Sequence, residues 1–266
     1  MVTKSSRVSR KKPTTVQANQ ANTSKAIDLS QIQIKKEGLY IPDGALSDFI
    51  QMQPANVFAH IKDAKNNRYI ICNAHVLKFF DLKEGDDLIG RTIFDIDRLI
   101  MKDHWGNYAD KASNMEQTAK NMRKVVIERN DMVVDASDKV YIMDTFKVPL
   151  IGRDNQVVAL MTLNIDHTRG SDLFSLLNLY KSKFVNKAVG LKNFVKYLGI
   201  SDLIYNDLTE KEIICLLHMR VSSSYKYIAE QLNISLKTVE SHISHIISKT
   251  KSGRLAELKR RFRQRI

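Results

Sequence analysis

Between Tyr225 and Lys249 the apolar positions recur at helical spacing in two runs separated by a polar break. The first run carries Tyr227, Ile228 and Leu232, with Ala229 as a small residue where a second helix can cross closely. Asn233-Ile234-Ser235 interrupts it, because Asn and Ser side chains compete for backbone hydrogen bonds and favour turns and caps. Ser235 is a good N-cap for the second run, in which Val239, Ile243, Ile246 and Thr250 follow at steps of 4, 3 and 4 and so bury one face. Polar residues occupy the opposite face: Lys237, Thr238, Glu240, Ser241, Ser244, His245 and Lys249. This pattern predicts a helix-turn-helix whose second helix fits a DNA major groove, the alternative being a helical hairpin with a solvated face.

The first half of the chain has a different period. Val57 to Lys62 and Arg68 to Cys72 flank the turn chemistry of Asp63-Ala64-Lys65-Asn66-Asn67 and predict a hairpin. A short helix is expected around Leu46 to Met52, and Asn73 is expected to cap another through Phe80. Residues 88–96 read as short helical or irregular pieces. Residues 108–129 read as a longer helix with Met115, Ala119, Met122 and Val126 on one stripe. Strands follow at Met132 to Asp135, Lys139 to Ile151 and Gln156 to Ile165, the last two joined by a tight turn at Gly152 to Asn155. A hairpin, then helices, then three antiparallel strands predict an α+β domain with the helices gathered on one sheet face.

Composition adds one strong constraint. Apolar residues make up 43% and charged residues 27% of the 266 positions, which is ordinary for a globular protein. No apolar run approaches a membrane span, and the N-terminus lacks the apolar segment of a secretory signal. With only Cys72 and Cys215, this predicts a cytoplasmic protein with free thiols. The net charge of +13 is carried by the ends: residues 1–27 contribute +6, residues 251–266 another +6, and 28–250 only +1. End-loaded positive charge points to a polyanion such as nucleic acid, or to an anionic membrane surface. Residues 1–28, rich in Ser, Thr, Asn, Gln and Lys, read as a disordered basic arm.

Three stretches, HIKDAKNNRYIICNAHVLKFF (60–80), DLIGRTIFDI (87–96) and FKVPLIGRDNQVVALMTLNIDHT (146–168), resemble PAS sensor domains, and Asp166-His167-Thr168 matches the acidic-x-Thr ending of many of them. The resemblance covers about residues 40–168, within a domain bounded at 29–168, and implies a five-stranded antiparallel sheet with flanking helices that encloses a ligand or serves dimerisation. It supplies no cofactor. Cys72-Asn73 reverses the order a flavin photosensor uses, and His60, His75 and His104 read as packed or surface side chains rather than haem ligands. The expectation is no cofactor, with an unknown small-molecule ligand left open.

Residues 169–204 follow as a linker helix. Leu173, Leu177, Tyr180, Phe184, Ala188 or Lys187, Leu191, Phe194 and Leu198 form a heptad-like stripe, either a coiled-coil seam or a helix packed on its neighbours, and the favoured reading is a helix that breaks near Gly190 and carries dimer contacts. The segment 205–266 resembles the LuxR-type helix-turn-helix domain. Leu208-Thr209-x-Lys211-Glu212 stands for that family's opening, with Thr209 and Glu212 as a capping box. Ile228-Ala229-x-x-Leu232-x-Ile234-Ser235-x-x-Thr238-Val239-x-x-His242 stands for its centre. The chain departs from the family in carrying Ser222 where it has Gly and Ile214 where it has a second Glu.

The resemblance implies that Glu240, Ser241 and Ser244 read base edges and that Lys226, Lys237, Thr238, His245 and Lys249 meet phosphates. It also implies a last helix over 254–266 that supports dimerisation through Leu255, Leu258 and Phe262. The other face of that helix, with Lys259, Arg260, Arg261, Arg263 and Arg265, is read as auxiliary phosphate contacts. Glu240 either accepts from a cytosine amine or only pairs with Lys237.

These readings together describe a homodimeric, sequence-specific regulator of double-stranded DNA whose PAS domain senses a small molecule. Two alternatives stand: a ligand-free PAS interaction module on the same DNA-binding protein, or a basic protein of RNA or membrane surfaces. No nucleophile elbow, phosphate loop or zinc spacing occurs, so an enzyme has no residue to begin from.

Overall fold

The computed structural model describes residues 45–83, 85–101 and 105–264; the basic arm, His104 and Arg265 lie outside them. Helix α1 (Ala45–Gln51) precedes strands β1 (Val57–Asp63) and β2 (Tyr69–Cys72). Helices α2 (Ala74–Phe79), α3 (Ile93–Ile96) and α4 (Tyr108–Met122) follow, then β3 (Val126–Val134), β4 (Val140–Ile151) and β5 (Val157–Asp166). The five strands form one antiparallel sheet in the order β2-β1-β5-β4-β3. The first and last strands of the domain are therefore neighbours near its centre. This is the PAS arrangement.

Strand alternation sorts the residues of β1 to two faces. Ala59 and Ile61 pack with Leu46 and Ile50 of α1 and with Ala159 of β5. Phe58 faces the other way, into a core with Phe79, Phe80, Ile96, Trp105 and Tyr141 under α2 to α4. Both faces are covered, so six of the seven β1 residues are buried. The side chain of Asn73 caps α2 by accepting from the Val76 amide at 3.2 Å, and donates to the Val57 carbonyl at 2.9 Å. The acidic-x-Thr ending has a clear role. Asp166 accepts from the Thr168 amide at 2.8 Å, and the Thr168 hydroxyl accepts from the Ile142 amide at 2.9 Å, fastening the domain's exit to β4.

Two expectations change here. Helix α4 ends at Met122, where Arg123 turns left-handed (φ 53°), and Val126 already belongs to β3. The buried stripe of α4 is Ala109, Ala112, Glu116 and Ala119, whereas Met122 is exposed. The linker breaks as expected, but earlier in the chain. It is a hairpin of α5 (Leu173–Lys183) and α6 (Lys187–Tyr197), broken before Gly190, at Phe184 to Asn186, with Asn186 capping α6. Gly190 instead allows close crossing, since a Cβ there would lie 2.3 Å from the Tyr180 carbonyl oxygen. The stripe expected to meet a second chain is spent inside this one: Leu173, Leu177, Tyr180, Phe194 and Leu198 are all in the core.

The hairpin joins the two ends of the molecule. The Tyr180 hydroxyl accepts from the Val140 amide at 3.0 Å, and Lys196 donates to the Ser137 carbonyl at 2.9 Å, both in the β3–β4 region. On its other side the Phe174 ring lies 4.8 Å from His218 of α7 (Glu210–Val221), and Lys181 and Lys187 each reach Glu210 at 2.6 Å. The remaining helices are α8 (Tyr225–Leu232), α9 (Leu236–Ser248) and α10 (Leu255–Gln264). No helix among the described residues is long and apolar enough to cross a membrane.

Candidate nucleic-acid interface and sensor cavity

Local rules place α9 with little freedom. Thr209 and Glu212 form the capping box that opens α7: Thr209 Oγ1 accepts from the Glu212 amide at 3.3 Å, and Glu212 accepts from the Thr209 amide at 2.7 Å. Ser224 caps α8. Asn233 takes the left-handed conformation (φ 50°) that ends α8, a conformation Asn tolerates through its short polar side chain. Ser235 then starts α9 by accepting from the Thr238 amide at 3.1 Å. Val239, Ile243 and Ile246 are buried against α7 and α8, with Ile228 and Ala229 behind them.

The opposite face of α9 is open. Lys237, Glu240, Ser241, Ser244 and His245 are exposed, and so is Lys226 on α8. Thr238 is half-buried, its hydroxyl 2.8 Å from that of Ser235, so it serves the turn. No ion pair joins Glu240 to Lys237 among the described residues. Lys249 differs from expectation. Its ammonium donates to Glu212 at 2.7 Å and to the Asp207 carbonyl at 3.0 Å, locking the end of α9 to the start of α7 rather than projecting to a phosphate. Burial pushes the Glu212 carboxyl upward, but the hydrogen bonds from Lys249 and Thr209 prevail and hold it below the usual range. The Tyr205 hydroxyl bonds to the Ser248 carbonyl at the same junction.

Helix α10 corrects another expectation. Leu258 and Phe262 are fully buried in the domain's own core and Leu255 packs against it, with the Arg220 guanidinium 6.0 Å from the Phe262 ring. That apolar face is occupied within the chain, because a four-helix domain this small needs every apolar stripe for one core. Arg260 is exposed, and Lys259 reaches the Ser223 hydroxyl at 3.4 Å. Arg261 lies 3.2 Å from Asp202, and the side chain of Arg263 lies outside the described residues.

The sequence anticipates a ligand space in the PAS domain but not the charged cluster beside it. Between the sheet and α2 to α4 lies a cavity of about 40 Å³. Phe58, Phe79 and Trp105 line it, and so do His60, Lys62 and Lys147. Glu116 of α4 reaches down to the sheet, and its Oε1 accepts from Lys62 at 2.7 Å and from Lys147 at 2.8 Å; all three side chains are at most 5% exposed. Lys147 also donates to Thr162 at 3.2 Å. Burial lowers the Lys62 ammonium to about 8, with Glu116 opposing the shift. Burial by itself would raise the Glu116 carboxyl, but Lys147 and Lys62 together hold it well below the usual range. The His60 imidazole is driven well down by burial, then by both lysines, so it is neutral. Among the described residues neither His60 nitrogen has a hydrogen-bond partner, nor does Glu116 Oε2.

The signal that could have found this cluster was a carboxylate on an otherwise alanine stripe, at 109, 112, 116 and 119, together with lysines at inward strand positions.

The sheet order β2-β1-β5-β4-β3 is that of a PAS domain, and it precedes a helix-turn-helix braced by α7. Residues 206–261 match the family of bacterial regulatory proteins known as the luxR family (GerE). Among solved structures the chain is similar to a phage VqmA–DPO complex, with 21% identity, 83% of this chain and 85% of that one covered, and a TM-score of 0.39. A Vibrio cholera VqmA–ligand–DNA complex gives 18% identity, 82% and 87% coverage and a TM-score of 0.39. The PAS domain of Bordetella pertussis BvgS gives 19%, with 52% of this chain and 95% of that one covered, at 0.40. No curated protein matches the chain.

Proposed function

We propose that the protein is a cytoplasmic, non-enzymatic transcription regulator that binds specific double-stranded DNA as a homodimer and responds to a small molecule held in its PAS domain. The observation that carries this reading is α9. One face is buried in Val239, Ile243 and Ile246, and the other offers Glu240, Ser241 and Ser244 to solvent, flanked by Lys226, Lys237 and His245. In this reading the first three meet base edges and the basic residues meet phosphates. Lys259 and Arg260 extend the positive surface along α10. Residues 29–168 act as the sensor, 169–204 as the connection and 205–266 as the reading module.

Two modules related by a two-fold axis favour an inverted repeat with half-sites about one helical turn apart. A cavity whose wall carries the unpartnered His60 imidazole beside two buried lysines favours a ligand over a purely structural PAS domain. Selection of fragmented genomic DNA by the full chain tests the reading. A recurrent inverted repeat is expected, and recovery of fragments in proportion to their abundance would refute it.

A further inference from the structure

The buried cluster beside the cavity is unbalanced. Lys62 and Lys147 share a single oxygen of Glu116, so two cations face one anion among side chains at most 5% exposed. Charge buried without a partner costs several kcal/mol, and a fold keeps such an excess where something else neutralises it. Each ammonium has three donors. Lys62 gives one to Glu116, and Lys147 gives one to Glu116 and one to Thr162. Lys62 and Lys147 line the cavity, whereas Glu116 is not part of its wall. His60, on the same wall, is neutral and has a ring N–H without an acceptor. Spare donors from three side chains therefore converge on one small space, with Phe58, Phe79 and Trp105 forming the apolar remainder of its wall.

We propose that this cavity binds a small monocarboxylate, its carboxylate received by Lys62, Lys147 and His60 and its short apolar tail by Phe58, Phe79 and Trp105. The inference deepens the sensor reading above and rests on it. Size limits the ligand: the space of about 40 Å³ corresponds to roughly three water molecules at about 10–15 Å³ each. An acid of about two carbons fits it, and longer ones need the wall to open. The charge balance is then two ammonium groups against two carboxylates, and the net buried charge is zero.

The one tryptophan of the chain is Trp105, so its fluorescence reports on the cavity wall directly. The full chain would be titrated with acetate, propionate and butyrate, and with the three corresponding amides, at ionic strength held constant with sodium chloride. Saturable quenching by at least one acid is expected, with its amide weaker by about tenfold or more. Lys147→Met leaves a balanced Lys62–Glu116 pair. It should keep the melting temperature while weakening that acid by about tenfold. His60→Gln serves as the second variant, and its amide restores a donor and retains part of the affinity. Amides binding as well as acids would overturn the acid class and leave the sensor reading intact. No binding by any acid would overturn the proposal. The sensor reading is then decided separately by native mass spectrometry of the full chain for a co-purified small molecule.

Discussion

Replacing Glu116 by Gln removes the carboxylate that two buried ammonium groups share, at 2.7 and 2.8 Å, while keeping the size of the side chain. With Lys62 and Lys147 at most 5% exposed, water cannot take over the lost role. Breaking a buried ion pair from one side costs about 3–5 kcal/mol. For a chain of this size that corresponds to a fall of roughly 6–20 °C in melting temperature, at about 2–4 °C per kcal/mol. Urea unfolding followed through Trp105, which shares a core with this half of the molecule, gives the figure directly. The triple variant Lys62→Met, Glu116→Leu, Lys147→Met should recover most of the loss, because the cost lies in uncompensated charge rather than in packing. A loss below about 1 kcal/mol for Glu116→Gln would refute the reasoning, since exposed pairs are worth that little. A triple variant no more stable than Glu116→Gln would refute it equally.

Three further outcomes follow from the same structure. The neutral His60 faces Lys62, Lys147 and Glu116; its folded imidazole stays unprotonated while the unfolded one takes up a proton below 6.5. The stability it contributes is therefore present above pH 6.5 and is lost as pH falls, by up to about 1.4 kcal/mol per pH unit, and His60→Gln should flatten that slope in stability measured from pH 7 to 5. Gly190→Ala places a Cβ 2.3 Å from the Tyr180 carbonyl and should cost about 1–3 kcal/mol in thermal unfolding, with the α5–α6 hairpin cut faster by protease; an unchanged protein would mean the helices can part without penalty. Lys259→Gln with Arg260→Gln should lower the slope of DNA affinity against salt by about one for each phosphate no longer neutralised. Cutting the chain after Arg254 is not an equivalent test, because it removes Leu258 and Phe262 from the core.

How far the sequence revealed the molecule depended on whether a feature was local. The caps at Asn73, Thr209 and Ser235, the turn at Asn233 and the β1–β2 hairpin are settled within a few residues, and the structure has them where the chain's chemistry puts them. The α4 stripe misled because Met115, Ala119, Met122 and Val126 fall at helical steps by coincidence. The β-branched Val125-Val126-Ile127 run was the better guide, and no Gly or Pro marks the left-handed stop at Arg123. The 3-and-4 spacing of the linker describes any buried helix stripe. It does not say whether the partner is a second chain or the next helix, and here α6 folds back on α5. The same ambiguity hid the occupant of the α10 face. The cavity cluster escaped altogether because Glu116 meets Lys62 and Lys147 across 54 and 31 residues, so no local window contains the pair.

Base reading by α9 is the central claim, and it is measured by comparing a selected DNA site with random duplex at one salt concentration. Ser241→Ala and Ser244→Ala remove polar groups from the exposed face while leaving the buried Val239, Ile243 and Ile246 untouched. Each should weaken binding to the selected site by about 1–3 kcal/mol and leave affinity for random duplex and the salt slope unchanged. Equal losses on both duplexes, or none on either, would contradict it.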